Sequence, residues 1–234
     1  MRILKTAAAC AVLFSVIGGQ AANAAQIQTF DSGWYQNSGF TAGVNNINVG
    51  SSNLSGAIYH NWLAFNLAGL ATETVTGATL TFYGGNGVNT SSTSETLGLF
   101  DYTGSINSLL ADTFSAGIYT DLGDGNGYGT AVVGSGPISQ FSVTLSAEAI
   151  AGLNAAAHAL SDNRFVIGGA LSSISGPFAN EQLFAIFGPG AALTPAAFLD
   201  LRTVATPVPE PLTLSLLATG LVGLAGLRRR KAKA

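Results

Sequence analysis

The sequence predicts an all-β fold: an antiparallel β-sandwich or jelly roll carrying one short helix. Three observations predict it. About ten short β-rich runs follow one another, separated by turns rich in Gly, Asn, Asp and Ser. Ala78–Tyr83 (ATLTFY) alternates with period two, so Ala78, Leu80 and Phe82 share one face and Thr79 and Thr81 the other. A full helical signature is confined to one stretch after Ser146.

Taken in order, Ile58–Leu67 (IYHNWLAFNL) is a long, aromatic-rich strand, followed by Ala78–Tyr83. Thr96–Asp101, Gly117–Leu122, Tyr128–Gly134 and Gln140–Leu145 read as further strands. So do Arg164–Ala170, Leu183–Gly188 and Ala197–Val204. The helix begins at Ser146, whose hydroxyl suits an N-cap. Glu148 falls in its first turn, and Ile150, Leu153 and Ala157 recur at helical spacing. Leu109 and Leu110 end a short helical turn.

The two ends read as targeting segments, in addition to a body at residues 25–206. Residues 1–24 form a signal peptide with a helical apolar stretch. Arg2 and Lys5 supply its charge. Ala7–Ile17 is 11 residues long, short of the roughly 20 that span a bilayer. Ala22-Asn23-Ala24 fits the small-x-small rule for signal peptidase, so Ala22 and Ala24 mark the cut and the mature chain starts at Ala25. An uncleaved N-terminal anchor is the alternative. Export implies passage through the Sec translocon. Cys10 is the sole cysteine and lies in this segment, so the body has neither a disulfide nor a thiolate metal site.

The net charge of −3 is uneven. Between residues 26 and 206 only Arg164 and Arg202 are basic, against eleven acids, a net −9 with no lysine. Such a surface repels phosphate backbones and argues against nucleic acid as a partner. The low charge and the many Ser, Thr, Asn and Gly residues suit an exported protein.

At the other end, residues 207–234 begin with Pro207, Pro209 and Pro211, which cannot sit inside a helix. Leu212–Leu227 follows, 16 residues without a charge. As a transmembrane helix it is roughly 24 Å long, and it spans with some snorkelling. The basic tail at 228–234 places the body on the non-cytoplasmic side, in agreement with the signal peptide. Val208-Pro209-Glu210-Pro211, the Leu- and Gly-rich span and Arg228-Arg229-Arg230 together resemble the PEP-CTERM sorting signal of Gram-negative bacteria. That resemblance implies recognition by an exosortase, removal of the tail, and a link to exopolysaccharide, biofilm or floc formation. It implies transient anchoring in the inner membrane and then a place at the cell surface or in the extracellular matrix. A plain C-terminal anchor is the alternative reading.

Trp62-Leu63-Ala64-Phe65-Asn66-Leu67, followed by Thr76-Gly77-Ala78-Thr79-Leu80, resembles the opening of jelly-roll carbohydrate-binding modules. Asn61 or Trp62 stands where those modules often have Arg, and their tryptophan-rich middle motif is missing. The resemblance implies a sandwich, and sugar binding by stacking on exposed rings. If Leu63 and Phe65 face the core, Trp62 and His60 face outward, and Trp34, Tyr35 and Tyr102 are further candidates. The competing expectation is that Trp62 fills the core or an inter-sheet edge.

Asp121, Asp124 and Asn126 in DLGDGNG offer the oxygens a calcium loop needs, but no bidentate Glu follows at the twelfth position. The alternative is simple turn chemistry between two strands. His60 and His158 stand far apart, with packing or exposure expected of both. No nucleophile elbow or phosphate-binding glycine motif occurs, and no carboxylate pair stands out. No cofactor and no catalytic residue is expected. Three readings follow: a structural or adhesive surface protein, a carbohydrate-binding module for exopolysaccharide, and a polysaccharide-processing enzyme, with the first preferred.

Overall fold

A computed structural model describes residues 22–39, 41–42, 47–83, 88–136, 140–183 and 197–206. Among these, twelve strands form one continuous antiparallel ladder that nearly closes on itself. β1 (Asn23–Gln36) is the shared strand. Its first half pairs with β12 (Ala197–Ala205), as in Gln26↔Asp200. Its second half pairs with β4 (Ile58–Asn66), as in Tyr35↔His60. A bulge between Thr29 and Asp31 turns the strand from one layer to the other.

Layer A runs β1, β12, β5 (Glu73–Tyr83) and β9 (Gln140–Thr144). In layer B, β4 is flanked by β1 and β10 (Arg164–Leu171), followed by β7 (Ser94–Asp101) and β8 (Gly127–Gly134). Two-residue β2 (Thr41–Ala42) lies on β1. At the start of β4, a second row leads outward through β3 (Val49–Ser51), β11 (Glu181–Leu183) and β6 (Val88–Thr90). The remaining seam, between β8 and β9, is bridged by Ser146 N–H donating to the Tyr128 carbonyl at 2.8 Å.

The main core fills the space between the layers. Leu63 and Phe65 of β4, Leu80 and Phe82 of β5, Leu97 and Leu99 of β7 and Leu199 of β12 meet there. Each fully buried side chain of this size stabilises by about 1.5–3 kcal/mol. The alternation at Ala78–Tyr83 is realised: Ala78, Leu80 and Phe82 point inward. β4 is buried on both faces, so its WLAF run is continuous rather than alternating.

α3 (Ala147–Ala157) closes one end of the sandwich. The Ser146 hydroxyl accepts from the Ala149 N–H, as its position before the helix implies. Ala149, Leu153 and Ala157 enter the core. Asn154 makes both backbone hydrogen bonds of Val75, and Asn163 Nδ2 donates to the carbonyls of Ala156, Ala157 and Ala159 at the helix end.

The structure departs from the sequence reading in several places, β1 among them. Gly117–Leu122, expected as a strand, is largely the helix α2 (Ala116–Asp121). Helices therefore number three among the described residues, with α1 (Ile106–Leu110) ending at Leu110 as expected, beside a short 3-10 turn at Ala68–Leu70. β11 starts two residues before Leu183, and the rest of Leu183–Gly188 lies outside the described residues. The helices expected for the signal peptide and the tail also lie outside them. No helix among the described residues is long and apolar enough to cross a membrane.

Candidate functional site

Between β7 and β8 the chain leaves layer B, forms α1 and α2 over its outer face, and returns. Ser105 opens α1, its hydroxyl accepting from the Ser108 N–H. Leu109 and Leu122 then seat on Tyr35, Trp62, Ala64 and Val166, a second core beneath this cap. The fit needs glycine at 168: a Cβ there would stand 2.5 Å from the Leu122 carbonyl oxygen. Tyr35 Oη donates to the Leu109 carbonyl at 3.1 Å, and burial, with Asp112 and Tyr102 nearby, pushes its phenol up to about 12.

His60 lies under the same cap. Its ring stacks on Tyr119 at 4.1 Å, nearly parallel, and its Nδ1 is 2.7 Å from the Tyr119 carbonyl. A carbonyl only accepts, so Nδ1 carries the proton. Burial holds the His60 pKa below its ordinary value, outweighing the Tyr119 hydrogen bond. The unfolded chain therefore binds a proton that the folded one refuses. Stability from this group is complete above about pH 6.5 and is lost as pH falls toward the folded-state pKa. We expect the urea midpoint to drop on acidification from about pH 7.5 to about pH 5.5. The His60→Gln chain should lose part of that slope, and equal slopes in both chains would contradict the assignment.

Two shallow cavities flank the cap. One, of about 650 Å³, is lined by Tyr102, Ser105, Asn107, Ser108 and Phe114. The other, of about 790 Å³, is lined by Asp101, Thr103, Thr120, Asp124 and Asn126. Asp121 and Gly117 border both. Phe114 is 39% exposed and stands among hydroxyl and amide groups. Arg164 ties β10 to this region, donating to Asn107 Oδ1 at 2.8 Å while paired with Asp162.

The residues considered for calcium line the second cavity, where each also holds part of the chain. Asp121 accepts from the N–H groups of Thr103 and Gly104 and from the Thr103 hydroxyl. Asp124 accepts from the Gly125 N–H, and Asn126 donates twice to Asp101. The segment connects α2 to β8, so the strand-to-strand turn considered for it gives way to a helix-to-strand connection.

The aromatic candidates do not form one platform. Trp62 does lie on the outer face of layer B, but it is 1% exposed because the cap covers it. His60 is covered too. Trp34 pairs in register with Asn61, so it lies on the opposite face of the layer, half-buried and edge-on to Tyr59 at 5.1 Å. His158 Nε2 meets the Glu73 carbonyl, remote from His60. Phe114 and Asn107 did not stand out in sequence; the one signal near them was the helical turn ending at Leu110.

Ala22 and Ala24 are exposed at the beginning of β1. A cut after Ala24 removes the pairs Asn23↔Thr203 and Ala24↔Arg202 and leaves Ala25↔Leu201 as the first. Val208, Pro209, Glu210, Pro211 and Arg228–Arg230 lie outside the described residues. Residues 207–231 match the PEP-CTERM protein-sorting motif. No curated protein matches the chain.

Proposed function

We propose, for a chain whose PEP-CTERM motif marks it as exported and sorted by an exosortase, that the β-sandwich is a structural or adhesive component, not an enzyme. It works at the cell surface or in an extracellular matrix of exopolysaccharide. Signal peptidase and the Sec translocon act on it first, and the exosortase removes its tail.

The observation that supports this reading is the outer face of layer A. Gln26, Asp200, Thr79 and Thr144 form one row across its four strands, and Gln28, Phe198, Thr81 and Ser142 the next. Gln26 Nε2 donates to Asp200, and Thr81 bonds both Ser142 and Asp200. Thr81 and Phe198 are buried within the second row, while Gln26, Gln28, Asp200, Ser142 and Thr144 are exposed around them, offering hydroxyl, amide and carboxylate groups suited to many weak contacts with a hydrated polymer or another protein. The second reading, a glycan-binding groove, is favoured by Phe114 beside Asn107 and Ser108.

One experiment separates them. The full chain is expressed with Thr79→Lys plus Thr144→Lys, or with Phe114→Ala, and its retention in the extracellular matrix fraction is measured. The structural reading expects the lysine pair to lower retention and Phe114→Ala to leave it unchanged. The opposite result moves the function to the groove. If Thr206–Ala234 fused to an exported reporter leaves the reporter unprocessed, the exosortase step is wrong.

A further inference from the structure

Independently of that reading, we propose a calcium site at the junction of β3, β11, β6 and β7, built from Glu95, Glu181, Thr90 and Ser51. Glu95 and Glu181 are 1% and 2% exposed. Neither has a cationic partner: among the described residues the basic side chains are Arg164, paired with Asp162, and Arg202, on layer A. The two acids share one neighbourhood. Thr90 lies directly opposite Glu181 across β6 and β11, and its hydroxyl donates to Glu95.

All four carboxylate oxygens accept a hydrogen bond. Thr90 and Ser173 donate to Glu95, and the hydroxyl and N–H of Ser175 donate to Glu181. The Ser175 N–H fixes its direction as donor, while the three hydroxyls can turn to suit whatever the acids hold. Two buried carboxyl groups side by side with no basic partner make a place that a cation can neutralise.

A separate observation points to the ligand. Ser51 faces Glu181 across β3 and β11, on the same side as Thr90, because directly paired residues share a face. Ser51 is 0% exposed, and its Oγ has no hydrogen-bond partner. A buried hydroxyl without a partner beside two carboxylates is an oxygen ligand in waiting. The donor set is oxygen throughout, which suits a hard cation. Calcium takes six to eight oxygens in flexible geometry, whereas magnesium demands a regular octahedron. Ser173 and Ser175 are exposed, so the cluster opens to solvent along the 172–180 loop, and water can complete the shell.

The test uses the full chain in mild detergent, freed of metal by chelation. Calorimetric titration with calcium should show one site, with affinity in the extracellular range of about 0.1–1 mM. Calcium should raise the melting temperature, and magnesium should raise it less. Glu95→Gln and Glu181→Gln should each weaken uptake about tenfold or more, while Asp124→Ala leaves it unchanged. Ser51→Ala, a smaller change that keeps both acids, should weaken uptake without unfolding the chain. If the wild type takes up no calcium at about 10 mM, the proposal fails. It also fails if folded Glu95→Gln or Ser51→Ala chains bind as the wild type does.

Discussion

Replacing Trp62 with alanine is expected to destabilise the fold by roughly 3–5 kcal/mol, read as a shift of the urea midpoint at constant slope. The side chain lies between β4 and the α1–α2 cap, touching the same cluster as Tyr35, Leu109, Leu122 and Val166. Its removal leaves a cavity that two short helices, fixed at both ends by β7 and β8, close poorly. Phenylalanine at the same place should cost far less, within about 1.5 kcal/mol. The indole Nε1 is buried without a partner, and deleting an unsatisfied donor recovers part of what the smaller ring loses. The pair of variants therefore distinguishes packing from hydrogen bonding. A loss for alanine under about 1 kcal/mol would show that the cap does not press on the ring. It follows that Trp62→Ala is unsuited as a probe of ligand contact, since any lost binding would reflect lost folding.

Gly50→Ala is expected to cost about 3 kcal/mol or more. Its φ is +114°, and a Cβ built there would stand 2.0 Å from the Glu181 carbonyl oxygen and 2.8 Å from Leu171 Cδ1. The first of these is backbone in the β3–β11 ladder and cannot swing away. Gly136→Ala is the matched comparison, with φ of +112° and nothing within 4 Å. That change carries the backbone strain alone, about 1–2 kcal/mol. The difference in thermal midpoint between the two measures the close approach of β3 and β11. Equal losses would mean that the ladder gives way at no cost.

The strands legible in sequence were those whose residues keep one phase. Ala78–Tyr83 alternates because β5 stays in one layer, with core on one side and solvent on the other. β1 was missed because its phase breaks: Ile27 packs on the core from layer A, while Tyr35 serves the second core on layer B, with the bulge at Thr29 and Asp31 between them. Gly117–Leu122 misled through β-propensity. Ile118 and Tyr119 are good strand residues, yet one helical turn brings both, with Leu122, onto Trp62 and its neighbours. α3 was legible because its cap, its first-turn acid and its apolar spacing agree. The site was less so. Asp101 meets Asn126, and Glu95 meets Ser173, across distances in sequence that only strand pairing closes. Outward-facing Trp62 was a sound inference from strand alternation; the cap that buries it comes from a different part of the chain.

The pairing of β1 with β12 also has a mechanical meaning. Asn23 lies opposite Thr203, so the start of the first strand and the end of the last leave the body at the same pole. The membrane-associated sorting segment follows directly after β12. A pull from the membrane thus enters at Ala205 and runs along the axis of a strand hydrogen-bonded on both sides, to β1 and to β5. When the body is held at its far pole, that pull loads two ladders in shear, and their bonds must yield together rather than pair by pair. Strain applied between the two chain ends instead peels β1 from β12 one rung at a time. The same fold is therefore stiff toward a tether and weak toward a pull between its own two ends.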